Sequence, residues 1–247
     1  MTGPRGAFSL TSIQLLAGIF AFMWFTSLRY KMVKRGYYRS ATWVLWPLML
    51  LVAFVLPGYL EILTFVAAGT YLLYLLSVYS QRPLLEWLTG AAGTVVSVGL
   101  IGAAGWEVCE GGCTFGLVHG LLGGLVLGSV THGMILGHWY LNQARMPIEP
   151  LKEQTRVIFT LLGLSAFAGM VTRTELLEGA VPAGIMTYAS SSYWATWLFL
   201  LATTVGLMGM VRATVRDRST QSATGLLYIA SLTALAAQFL LNLLVTT

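Results

Sequence analysis

The chain has 247 residues, 57% hydrophobic and 9% charged, with a mean hydropathy of +0.76. A water-soluble domain carries about 25% charged residues, so this composition excludes an exterior facing water and calls for one solvated by lipid. The net charge of +5 is spread over short connections between apolar runs, which marks it as topogenic and excludes nucleic acid as its partner.

A helix needs about 20 mostly apolar residues to cross a bilayer. Taken in chain order, such runs fall at 8–28, 41–57, 60–79, 86–105, 114–141, 157–172, 184–211 and 223–245. The chain begins MTGPRGAFSL, without a strongly basic segment ahead of the first run. No small-residue cleavage motif comes after the run, so it reads as a retained helix and not a signal peptide. Pro57-Gly58 separates the second and third runs, whose combined length favours a hairpin over one kinked helix. Pro83, Pro147, Pro150 and Pro182 fall near other expected helix ends. The sixth run is the shortest. The expectation is therefore an all-α polytopic transmembrane bundle of eight spans, with seven as the fallback, forming a single integral membrane domain over 1–247. No internal repeat is visible residue by residue.

Orientation follows from lysine and arginine, which accumulate in cytoplasmic loops. Arg29, Lys31, Lys34, Arg35 and Arg39 follow the first run, and Arg82 follows the third. Arg145, Lys152 and Arg156 follow the fifth, and Arg212, Arg216 and Arg218 the seventh. Only Arg5 and Arg173 lie on the other side, with Glu107, Glu110, Glu175 and Glu178. This pattern predicts a multi-pass protein of the cell (inner) membrane with both termini on the non-cytoplasmic side. Trp43, Trp46, Trp87, Trp139 and Tyr140 at the inner helix ends, and Trp106 at an outer one, read as interfacial belts.

Cys109 and Cys113 form C-E-G-G-C in the connection between the fourth and fifth runs. The charge rule puts that loop outside, where disulfides persist, and two glycines allow a tight loop, so a structural disulfide is expected. A quinone-linked thiol site is the alternative, although the spacing is one residue longer than C-x-x-C.

The fifth run is the most informative. Gly116, Gly120, Gly124 and Gly128 recur every four residues with His132 next in the row, and Ser129, Gly133 and Gly137 form a second row. Small residues at this spacing let helix backbones approach in lipid. The fourth run has a similar set in Gly90, Gly93, Gly99, Gly102 and Gly105, which places the fourth and fifth helices at the tight centre of the bundle. All three histidines, His119, His132 and His138, lie on the fifth run. A bis-histidine haem within the chain needs histidines on two helices and is excluded. Gly128, Ser129 and Gly133 leave room beside His132 for something flat, or for a neighbouring backbone. The segment 131–150, THGMILGHWYLNQARMPIEP, gathers His132, His138, Trp139, Tyr140 and Arg145 at the cytoplasmic interface. These residues, with His119, are the candidate cofactor contacts for a quinone, haem or pigment. The bland reading of the same stretch is an interfacial anchor.

The last run carries Thr224, Tyr228, Ser231, Gln238 and Asn242 close to one face, the spacing of hydrogen-bonding glue between helices. No charged residue stands clearly at mid-membrane, which argues against an ion-coupled pump. G-x-S-x-G, H-E-x-x-H and P-loop patterns are absent from the sequence. Three functions are consistent with this. The first is a membrane subunit of an electron-transfer or energy-converting complex that holds a quinone, haem or pigment near helix five. The second is a non-catalytic scaffold or assembly subunit, and the third a small-molecule or lipid carrier. In each, lipids and laterally packed membrane subunits are the expected partners.

Overall fold

The computed structural model describes residues 3–56, 58–107, 114–143, 146–177 and 191–246. Among the described residues every regular element is a helix: α1 (Gly3–Arg29), α2 (Arg35–Ala53), α3 (Tyr59–Ser80), α4 (Pro83–Trp106), α5 (Thr114–Asn142), α6 (Glu149–Leu177), α7 (Ser191–Arg216) and α8 (Thr220–Thr246). All but α2 are long and apolar enough to cross a membrane, and the chain is a multi-pass membrane protein.

The weak span is not the expected one. Helix α6 runs for 29 residues, beyond 157–172 at both ends, because its first two turns and its last turns carry charged residues and only the stretch between them is apolar. A reading by apolarity sees only the part that lipid would solvate. Helix α2 falls short in composition instead, since its first two turns hold Arg35, Tyr37, Tyr38 and Arg39. Its 19 residues rise about 28 Å, close to the hydrocarbon thickness of about 30 Å. It also traverses the full height of the bundle. Arg35 at its start pairs with Glu86 at the start of α4, while Leu48, Leu51 and Val55 near its end meet Phe8 and Ser12 of α1.

The turn into α3 passes through Gly58, whose φ of +68° and ψ of −141° suit a residue without Cβ. The end of α3 is closed by Gln81 in the left-handed conformation, and Pro83 opens α4 where its missing N–H costs nothing.

The helices pack as two sets of four. In the first, α1 to α4 are neighbours in sequence and α1 closes against α4. In the second, α5 to α8 do the same and α5 closes against α8. The sets meet through α1 against α5, flanked by α4 on α5 and by α8 on α1. The main contacts map onto one another when the two sets are exchanged in order, α1 with α5, α2 with α6, α3 with α7 and α4 with α8; the slight α2–α5 contact has no counterpart of the same extent. The resemblance lies in packing alone, which is why no repeat is visible in the sequence.

The centre of the bundle is thus α1 with α5, and not α4 with α5. On α4, Gly99 and Gly102 face open space and Val95 is 72% exposed; the close approach to α5 is confined to the end of the helix, at Ile101 and Gly105. Large apolar side chains cover the outside of the other peripheral helices too, among them Leu51, Ile62, Leu73, Phe167 and Phe199, the exterior that lipid stabilises and water would not.

Candidate functional site

The α1–α5 seam is held at mid-height by bare backbone. A Cβ on Gly18 would lie 2.1 Å from the Gly124 carbonyl oxygen, and one on Gly128 would lie 2.3 Å from the Gly18 carbonyl carbon. On the other side of α5, a Cβ on Gly105 would lie 2.3 Å from the Gly116 oxygen. The glycine row is therefore a packing surface, and the space beside His132 that the row suggested is filled. Gly18 occupies it at Gly128, and Ile158, Gln154 and Leu227 occupy it at Gly133.

Polar clusters lie on both sides of this contact. Towards the helix end away from the basic loops, Asn242 is fully buried and central to the first. Its Oδ1 accepts from His119 Nε2 at 2.7 Å and from Gln238 Nε2 at 3.1 Å. Its Nδ2 donates to Thr11 Oγ1 at 2.8 Å and to Gln14 Oε1 at 2.7 Å. Gln14 in turn donates to the Gly120 carbonyl at 3.1 Å. These bonds fix the amide orientations and make His119 Nε2 a donor. The ring ties α1, α5 and α8 together with its donors and acceptors matched, and chemically it is glue. The polar face expected on α8 divides accordingly. Gln238 and Asn242 reach this ring, Thr224 and Ser231 bond back to their own helix, and Tyr228 meets His138 at 3.2 Å on the exposed side.

The second cluster stands towards the basic end. His132 is fully buried, with Nε2 3.3 Å from Thr26 Oγ1. Phe22 and Tyr37 flank its ring, with centroids 6.2 and 6.1 Å away, and Trp139 packs edge-on against Tyr37. Gln154 lies beside the imidazole, but its amide donates to the Ser129 carbonyl at 2.7 Å, and no hydrogen bond reaches His132 Nδ1. The Tyr37 hydroxyl is likewise buried without a partner, as are the Tyr38 hydroxyl and the Trp24 indole N–H. Tyr37 meets Tyr38 edge-on at 5.1 Å. Tyr38 and Trp24, with Ser27, Arg35, Glu86 and Trp87, line a cavity of about 500 Å³ between α1, α2 and α4. A chain of rings thus leads from the imidazole to an interfacial cavity.

Of the residues singled out in sequence, His132 and Trp139 come together here, while His119 and His138 do not join them. His119 and His138 bond to α8 at its two ends, and His132 bonds to α1. Trp139 and Tyr140 are not lipid-facing anchors: Trp139 is half-buried and donates to Gln143 at 2.6 Å, and Tyr140 is buried with its hydroxyl on the Pro147 carbonyl. Trp43 and Trp87 remain exposed at that end, and Trp106 at the other. Arg145, Cys109 and Cys113 lie outside the described residues. Tyr37, Tyr38 and Trp24 carried no signal as single residues, and Gln154 sits in a charged stretch that reads as loop.

The Arg35–Glu86 pair at the cavity rim, 3.0 Å apart, is partly exposed, and such pairs contribute little. Arg35→Gln is expected to change stability by less than about 1 kcal/mol, as measured by thermal unfolding in detergent.

No protein-family model, curated protein or solved structure matches the chain. The functional reading therefore rests on the chemistry of this cluster.

Proposed function

We propose that the chain is the membrane subunit of an electron-transfer or energy-converting complex and holds a quinone-class ring at its basic end. One observation carries this reading: Trp24 Nε1, the Tyr37 and Tyr38 hydroxyls and His132 Nδ1 are buried without partners around one chain of rings and its cavity. Buried polar atoms in folded proteins are nearly always paired. Three of these four are donors, so the missing partner presents acceptors, and a quinone is a flat apolar ring with two carbonyl oxygens. A cavity of about 500 Å³ is within the usual range for a small ligand. Bound there, a quinone would supply two-electron, two-proton chemistry, with Tyr38 and Trp24, which line the cavity, as its hydrogen-bonding contacts and with Tyr37 and His132 behind them.

Haem and chlorophyll-type pigments fit less well. No second histidine approaches His132, and the flat space at Gly128 is taken by α1. The charge distribution supports a cytoplasmic basic end, and the exposed apolar helix faces support lateral docking of other subunits.

The scaffold reading is favoured by the backbone contact of Gly18 with Gly124 and Gly128, which holds the two helix sets together whether or not a ligand binds. The same contact weighs against a carrier, because no passage runs between the sets at that level. Titrating the purified protein with a short-chain benzoquinone and following tryptophan fluorescence tests the choice. Wild type is expected to show saturable quenching, with affinity lowered about tenfold in Tyr38→Phe and in Trp24→Phe, the loss of one hydrogen bond each. His138→Ala should leave it unchanged. Linear quenching, identical in all variants, would leave the scaffold reading standing.

A further inference from the structure

A second feature of the basic end lies across α1 from the quinone cavity, with which it shares Tyr30. Between the end of α1 and the start of α6 runs an open groove of about 560 Å³. Its upper part is charged, with Arg29, Lys152 and Arg156 against Glu149 and Glu153. Glu153 is committed to α1: Arg29 Nε lies 3.3 Å from its Oε1, and the Tyr30 hydroxyl donates to its other oxygen. Glu149 stands in the first turn of α6, where the helix dipole favours a carboxylate. Among the described residues, no carboxylate lies within ion-pairing distance of Lys152 or Arg156. They are spaced i, i+4 on one face of α6, and the groove carries one net positive charge.

Below these cations the lining becomes apolar, through Val157, Thr160 and Leu161. The same strip of α6 continues through the exposed Leu164 and Phe167. A paired-off carboxylate, two free cations one turn apart and an apolar track running away from them match an amphiphile with one negative charge at its head.

We propose that this groove binds an anionic phospholipid of the surrounding bilayer, with its phosphodiester between Lys152 and Arg156 and an acyl chain along the Val157–Leu161–Leu164 side of α6. Basic pockets between helices at this level recognise lipid headgroups by charge, and the attraction is screened by salt. An acidic segment of a partner protein is the competing occupant. The apolar track disfavours it, because a peptide carboxylate needs no acyl path.

The test is thermal unfolding of the full chain in nanodiscs of phosphatidylcholine with increasing phosphatidylglycerol. Phosphatidylglycerol is expected to raise the Tm above the phosphatidylcholine value and to lose the effect at high salt. The double variant Lys152→Gln/Arg156→Gln should need roughly thirtyfold more of it for the same shift, about fivefold per cation. Arg212→Gln/Arg216→Gln on α7, which also removes two cations from this end, should respond like wild type. Inorganic phosphate alone should do nothing; a full shift from it would make the site one for free anions and overturn the lipid assignment. An equal response in the two double variants would also overturn it. If the Lys152/Arg156 variant does not fold, photo-crosslinking of the wild-type protein decides. A phosphatidylglycerol carrying a diazirine in its acyl chain should label 157–167, and labelling spread evenly over α3 and α7 would contradict the proposal.

Discussion

Gly18→Ala is expected to destabilise the bundle more than any other addition of a single methyl group, by about 3 kcal/mol or more. The new carbon would stand 2.1 Å from the Gly124 carbonyl oxygen and 2.8 Å from the Gly128 Cα. Both are backbone atoms of a helix that α4, α6 and α8 hold from its other sides. A flexible side chain can swing away from an intruding methyl, whereas here two whole helices would have to separate. Gly206→Ala on α7 is the matching control. Nothing lies within 4 Å of the added carbon, and exchanging glycine for alanine within a helix is favourable by up to about 1 kcal/mol. Unfolding in graded denaturing detergent should place the two variants on opposite sides of wild type.

Asn242→Leu should have the next largest effect, a loss of about 3 kcal/mol, with the number and branching of side-chain heavy atoms unchanged. Asn242 makes three interhelical hydrogen bonds, to Thr11, Gln14 and His119, each worth roughly 0.6–2 kcal/mol in a membrane protein. Its removal also strands Gln238 Nε2 and His119 Nε2 in an interior without water. Because Asn242 links α8 to α1 as well as to α5, the loss should loosen the contact between the two sets of four helices. Hydrogen exchange of α1 and α8 is expected to rise together, with α2 and α3 unaffected. Ser231→Ala, on the same helix, removes a hydroxyl that bonds only to its own helix at Leu227, and should change little.

These expectations show where the sequence was legible. The eight helices were visible because lipid demands long apolar runs; their boundaries were missed where a helix extends into the charged interface, as at Glu149, and where the chain leaves the helix while still apolar, as after Ala53. The fitness of α5 for close packing was readable from its glycine period. Its partner was not, since α1 contributes a single glycine at the contact, Gly18, and one residue makes no pattern. Asn242 and Gln238 were recognisable as hydrogen-bonding residues by their spacing on α8. Their acceptors and donors on α1, Thr11 and Gln14, become partners only when residues about 230 positions apart in sequence (228 and 231) are brought together.

The site divides in the same way. His132 stood out as a buried imidazole in an apolar run, and the structure gives it a fully enclosed place. The flat space proposed beside it on the glycine side does not exist, because another helix backbone fills the gap that small residues leave. The ring contacts that do surround it come from α1 and α2. Tyr37 lies among five basic residues that read as loop, and its burial follows from the short turn between Arg29 and Arg35, which folds α2 back against α1.

The most direct test of the account is the ligand content of the protein itself, purified in mild detergent from its native membrane. Absorption spectroscopy followed by organic extraction and mass spectrometry should find a quinone near stoichiometric amount and no Soret or pigment band. The quinone should be depleted in Tyr38→Phe and in Trp24→Phe but retained in His138→Ala. A colourless, quinone-free preparation in which all three variants behave as wild type would contradict the account and leave a scaffold held together by Gly18 and Asn242.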